Sequence, residues 1–367
     1  MVAALTACRV CDVIHREYGY TPERVMKKWN VLLSLVVLFA ALTIAGAQNK
    51  APLTLVQTIT LSNVARKWDH FGVDIKGNRL FASSEEDDPA VDVIDLKTNK
   101  LLRSLTDFKG PHNVIPLPEL KKVVVVDGEA SELKVLDYDS YALSGHVALT
   151  IDADPYVYDA AKKLLYVVNG GRAAKTPTCM ISIVDIANGK KLADMTLPTN
   201  RLESMVLDKS GKKLFVNMTG INSIGVVDLE KRAVVQTWPI TAGKDNVPMQ
   251  YDESTQRLFV ATRKPSKLVV VNAETGKEVT SLDVVDYVDD LAYDAGHHRI
   301  YVPGGGGQGG ISVVQQDGAD KYQVIATIAT KPGAKTARYI PELNRYYLGV
   351  PKKDNQPVAI MVYDVAP

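Results

Sequence analysis

The chain has 367 residues, with 43 Lys and Arg against 42 Asp and Glu, a formal net charge of +1 and three cysteines. That balance excludes a protein held on nucleic acid by general electrostatics. The cysteine count excludes a disulfide-stapled scaffold.

In chain order, Lys27-Lys28 precedes an apolar run from Val31 to Ile44 and the small residues Ala45-Gly46-Ala47. This is the pattern of a secretory signal peptide with cleavage after Ala47, and the run is shorter than the ~20 residues a membrane span needs. Met26 opens that signal by itself, so residues 1–25 are expected to be an extension from a misassigned start codon, 26–47 the signal, and 48–367 a single exported domain, periplasmic or secreted. Cys8 and Cys11 fall in the extension, and their C-x-x-C spacing carries no weight there. The remaining 320 residues carry 38 basic and 39 acidic side chains and one cysteine, Cys179. No membrane span, no nucleic-acid partner and a monomer are expected of them.

From Gln48 onward one unit recurs. Met249 to Val284 reads as four short strands: Met-Gln-Tyr-Asp, Arg257-Leu-Phe-Val-Ala, Leu268-Val-Val-Val-Asn and Gly276-Lys-Glu-Val-Thr-Ser-Leu, separated by polar turns. Anchors at the end of the first strand fall at Asp74, Leu117, Asp159, Asp208, Asp252, Asp294 and Ile340. A second series closes the third strand at Asp95, Asp137, Asp185, Asp228, Asn272, Gln315 and Asp364. Seven copies at a period near 45 predict an all-β fold, a seven-bladed propeller of four-stranded antiparallel blades. The seventh copy has three strands, and Leu55-Val-Gln-Thr-Ile-Thr-Leu61 is expected to supply its fourth and close the ring.

Function is expected on one face. The loops between second and third strands there are long: Ser83–Pro89, Asn169–Pro177, Gly304–Gly310 and Pro351–Pro357. Entering the first strands on the same face stand Asp69, His70, His112, Asn113, Asp154, Glu203, Asn246, Asp289, Asp290 and Lys335. Acids converging on a channel mouth repel one another unless a cation, a proton or a ligand compensates; Lys335, Arg66 and the two histidines are the compensating groups at hand. Three readings stay open. The mouth is polar because it is wet; or it binds a small molecule, peptide or protein partner; or Asp69, Asp154, Glu203 and Asp289, with Asn246, hold a divalent cation, their oxygen donors suiting calcium better than zinc.

Other features carry less. The Gly304–Gly310 run lacks a Lys-Ser/Thr continuation and precedes a strand, so a hairpin tip is expected rather than a phosphate cradle. His297-His298 lies in a turn on the opposite face, and Asn217-Met-Thr219 is a glycosylation sequon. Gly-x-Ser-x-Gly, His-Glu-x-x-His and Cys-x-x-Cys-His are all missing from the sequence.

Tyr166-Val-Val-Asn169 followed by Ile181-Ser-Ile-Val-Asp-Ile-Ala-Asn-Gly-Lys190 resembles the repeat of the YVTN, or YncE-like, bacterial β-propellers, with Phe215-Val-Asn, Phe259-Val-Ala-Thr and Tyr301-Val as looser copies. The resemblance covers about Leu53 to Pro367 and implies an exported bacterial propeller. By position in the fold it also extends to lactonase-type propellers, which hydrolyse rings from a channel-mouth site. Two functions follow: a binding or interaction scaffold, which is preferred because the ring shows no catalytic order, and a metal-assisted hydrolase with an Asp or His112 as general base.

Overall fold

The computed structural model describes residues 51–367; the signal segment, the N-terminal extension, Cys8 and Cys11 lie outside them. The described chain forms seven four-stranded antiparallel sheets arranged as the blades of a propeller. Blade 1 comprises Lys67–Asp74, Arg79–Glu86, Ala90–Asp95 and Lys100–Leu105; blade 2 comprises Pro111–Leu117, Lys122–Asp127, Glu132–Asp137 and Leu143–Ala148. Blades 3 to 6 repeat the order, with first strands Tyr156–Asp159, Met205–Leu207, Lys244–Asp252 and Ala292–Asp294. Blade 7 contains Ala337–Ile340, Arg345–Val350 and Val358–Val365, and its fourth strand is the N-terminal segment Leu53–Leu61.

Most members of the two sequence series are turn caps. Asp95 Oδ1 accepts the backbone N–H groups of Lys97 and Thr98, Asp137 Oδ1 those of Asp139 and Ser140, and Asn272 Oδ1 those of Glu274 and Thr275. The side-chain oxygen thus replaces the ladder partner lost where the chain reverses. At the first-strand anchors, Asp74 accepts from Gly77, Asp159 from Lys162 and Asp294 from Gly296. The two anchors without a carboxylate, Leu117 and Ile340, are each followed by Pro-Glu-Leu, which makes the turn as a short 3₁₀ helix instead. His297 caps Asp294 with a 2.7 Å Nδ1···Oδ2 contact in such a turn.

A second periodicity lies in the backbone pairing. In every blade the fourth strand carries one unpaired residue opposite the third: Leu102, Ser144, Leu192, Val235, Val279, Ile325 and, in the N-terminal strand, Val56. These bulges twist the outer edge away from further pairing. They also account for apolar side chains turned outward, including Leu102, Leu192, Val235 and Val56. That the N-terminal strand bulges at the same place marks it as a true fourth strand.

Both faces of each second strand are buried, because each blade packs on two neighbours. Leu258 and Val260 point into the cluster shared with blade 4, while Phe259 and Ala261 point into the one shared with blade 6. Val125, Val167, Val216, Val260 and Val302 are fully buried in successive inter-blade clusters. A further cluster joins Trp68, Phe71 and Leu80 of blade 1 to Ile340, Tyr347 and Ile360 of blade 7, so the ring is closed. Trp68 Nε1 donates across that seam to the carbonyls of Val350 and Ala359 at 3.0 and 3.1 Å. Among the described residues no helix is long and apolar enough to cross a membrane.

Candidate functional site

First strands of neighbouring blades lie against one another at the axis. Each has its entry at the same mouth, so the residues before or at their starts surround one cleft of about 250 Å³. Asp69, His70, Asn113, Asp154, Glu203, Asp289, Asp290 and Lys335 line it, as expected of them. All seven blades contribute, blade 5 through Val247 and Arg263.

Two expected residues stand elsewhere. His112 lies behind the wall, 8% exposed, with Nδ1 turned to the Asp69 carboxylate. Asn246 is fully buried between blades, where its amide donates to Asn217 Oδ1 and the Ser223 carbonyl. It does not face the cleft. Asn217 in turn donates to the Val247 carbonyl and has no exposed surface, which seals the sequon inside the fold. Arg66, expected to offset the acids of the mouth, is buried against Asp92 with Nε–Oδ2 2.8 Å and also pairs with Asp88, so its charge belongs to blade 1.

The cleft divides into two chemically different halves. In one, acids are matched by fixed cations: Asp289 is held between Arg263 and Lys335, while Arg201 joins Glu203 at 2.8 Å and Asp245 at 2.5 Å. In the other, carboxylates meet imidazoles. His112 Nδ1 is 2.6 Å from Asp69 Oδ2 and 3.5 Å from Glu85 Oε2. His70 Nδ1 is 3.1 Å from Asp290 Oδ1, and its Nε2 is 3.6 Å from Asp69 Oδ1 and 3.9 Å from Asp154 Oδ1. The Asn113 amide fixes Asp154 by donating to its carbonyl and to Oδ1 at 3.0 and 2.9 Å.

Electrostatics follow this division. Burial works against the Asp69 charge, but His70, His112 and Lys335 overcome it and hold the carboxyl down at about 2. Burial pushes Asp154 up to about 7, with the Asp69 and Glu203 charges adding to it against the pull of both histidines. Burial opposes a proton on His112, yet Asp154, Asp69 and Glu85 outweigh it and raise the ring to about 10. Glu85 and Glu203 are raised by burial and by the neighbouring Asp69 and Asp289 charges respectively. Two carboxyls driven apart within a few ångströms are what acid–base chemistry and cation binding both require.

Glu85, Arg263 and Arg201 are charged residues of the site that the ring of entry positions does not contain. The first two were accessible from the repeat. The position eleven residues beyond each anchor holds Glu85, Gly128, Gly170, Thr219, Arg263, Gly305 and Pro351, so only two blades place a charge where the second strand reaches the mouth. A smaller annex of about 90 Å³ opens beside Asp154 and Glu203 and reaches Cys179, a free and buried thiol that burial pushes up to about 11.

Neither a protein-family model nor a curated protein sequence matches the chain. Many solved structures share the architecture. One is a chain of Kuenenia stuttgartiensis hydrazine synthase, with a TM-score of 0.68, 14% identity, and coverage of 80% of this chain and 96% of that one. At that identity the likeness is one of fold.

Proposed function

We propose that this chain is an exported propeller, akin to the YVTN or YncE-like repeat proteins of bacteria, that binds a small polar ligand at its channel mouth. The observation that carries the reading is the cleft itself: six of the seven blades converge ionisable side chains of both signs on one small volume, the remaining blade adds the Asn113 amide, and few of its walls are apolar. Solvated mouths need no such pairing. Here Asn113, Arg201, Arg263 and Lys335 hold the acids in fixed orientations, which is how a recognition site is pre-organised. The volume lies below the ~300–1,000 Å³ of drug-sized pockets, which suits a ligand of amino-acid or monosaccharide size. The N-terminal signal pattern supports export, and the fold supports a binding role.

A metal-assisted hydrolase is the second reading. It is favoured by one observation, the ligand atoms of Asp69, His112 and Asp154 within 4.8 Å of one another, where a cation could activate water.

The test is calorimetric titration of the purified protein with small amino acids, sugar acids, polyols and lactones. A compound that binds wild type and loses at least about tenfold in affinity, roughly 1.4 kcal/mol, in Arg263→Met and in Glu203→Gln supports the cleft as the site. Binding that survives both changes places the ligand elsewhere and defeats the reading. Turnover of a lactone would move the hydrolase ahead.

A further inference from the structure

We infer that the imidazole half of the cleft is a site for a borderline divalent transition metal, such as manganese, iron, cobalt, nickel or zinc, with His70 Nε2, His112 Nδ1, Asp69 and Asp154 as ligands. The inference rests on the reading of the mouth as the binding site, and it changes both the ligand set and the metal expected from the sequence.

Spacing is the first argument. Donors about 2.0–2.1 Å from a tetrahedral ion stand about 3.4 Å apart. The donor pairs here are separated by 2.6, 3.6, 3.9 and 4.0 Å, values that bracket that edge. Asp69, His112 and Asp154 place donor atoms all within 4.8 Å of one another, and His70 Nε2 approaches that group from beside Asp69 and Asp154. Glu85 Oε2 lies 3.5 Å from His112 Nδ1, while its Oε1 pairs with Lys67 at 3.0 Å, so it stands beside the donor set and outside it.

The second argument is independent and concerns orientation. A ligating histidine ordinarily donates its other ring N–H to a carboxylate or carbonyl, which fixes its tautomer and aims its lone pair. His70 has this arrangement. Asp290 Oδ1 accepts from its Nδ1 at 3.1 Å, and Asp290 is itself anchored by the Ala337 backbone N–H at 2.8 Å. In the neutral ring, donation from Nδ1 to Asp290 leaves Nε2 as the acceptor facing Asp69 and Asp154, so a bound metal would take the place of the Nε2 proton. His112 lacks such a partner: its Nε2 is buried against Gly128, where a Cβ would come within 2.8 Å. His70 is therefore the better-oriented ligand, and Asp290 is a positioning residue for it.

Donor chemistry selects the ion. Two imidazoles with carboxylates suit manganese through zinc, whereas calcium takes oxygen donors. Glu203 and Asp289, offered by the sequence as cation ligands, are already neutralised by Arg201 and by Arg263 with Lys335. A cation beside them would have to displace those partners.

The experiment uses the tag-free protein, stripped with a chelator and dialysed against manganese, cobalt, nickel, zinc or calcium, with retained metal counted by mass spectrometry. A copper(II)-loaded sample is examined by electron paramagnetic resonance for nitrogen coupling. The inference predicts one transition ion per chain, imidazole nitrogen coupling, loss of retention in Asp154→Asn, loss of one nitrogen in His70→Gln, and affinity weakened about 10–100-fold in Asp290→Asn. The Asp290 change leaves every ligand in place, so it keeps the test sound even if a ligand variant fails to fold. Retention of calcium alone, abolished by Glu203→Gln, would overturn the inference in favour of the oxygen set. Absence of retained metal would overturn it as well, while the organic-ligand titrations above would still decide the binding reading separately.

Discussion

Asp154 and Asp69 sit in one cluster, yet their protons are held at about 7 and about 2. The difference arises because Asp69 faces His112 directly at 2.6 Å, whereas Asp154 is nearest to an amide. This has a consequence for stability. An unfolded Asp releases its proton near 3.9, so between about pH 4 and 7 the folded chain holds a proton on Asp154 that the unfolded chain has lost. Stability therefore falls as pH rises through that interval, and the loss is complete above 7. His112, raised from an ordinary 6.5 to about 10, extends the decline: its contribution is full below 6.5 and disappears as pH passes 10. In metal-free protein, Asp154→Asn is expected to flatten the lower interval. Urea midpoints measured across the range for both proteins check this, and an unchanged slope below pH 7 would count against the burial of that proton.

The strands owe their ends to local chemistry that a sequence displays openly. A carboxylate or amide two or three residues before a backbone N–H is enough to turn the chain, which is why the anchor series could be read without a structure. Asp137 is a clear case, half-buried at the end of its strand and accepting from two backbone N–H groups and the Ser140 hydroxyl. Asp137→Ala is expected to produce a modest fall in the unfolding midpoint with the rest of the fold intact; a large fall would mean that the turn organises more than itself. The bulges are the opposite case. Six of the seven bulged residues are branched aliphatics and the seventh is Ser144, yet a bulge is a count of backbone residues between paired strands, and an aliphatic there reads like any other strand residue. No pattern of apolar and polar residues records that count.

Closure belongs to the whole molecule. The strand Leu53–Leu61 joins sequence positions about 300 residues apart, from Leu53 against Val365 to Leu61 against Val358. Trp68 then clasps blade 1 to blade 7 through two carbonyls that no other side chain satisfies in this way. Trp68→Phe keeps most of the apolar contact but leaves those carbonyls without the indole donor, a loss of roughly 1–3 kcal/mol. Limited proteolysis should then release the Leu53–Leu61 strand earlier than in wild type. Equal protection in the two proteins would mean that sheet pairing alone holds the seam.

What the sequence determined by itself was the repeat, the number of blades, the closing strand and eight of the residues that line the mouth. These are either local turn chemistry or a property of register, and both survive in one dimension. Tertiary structure alone decided which of the acids meet a cation and which meet an imidazole. Asp289 and Asp69 occupy the same place in their copies, but Arg263 reaches one from the preceding blade and Lys335 from the following one, while the other receives His112 across the blade 1–2 boundary. Pairing across blades depends on the angle between neighbouring sheets and the reach of each side chain, and neither is encoded in spacing along the chain. The same holds for Asn246, whose amide is drawn inward to Asn217 because an unpaired polar group between two blades would be costly.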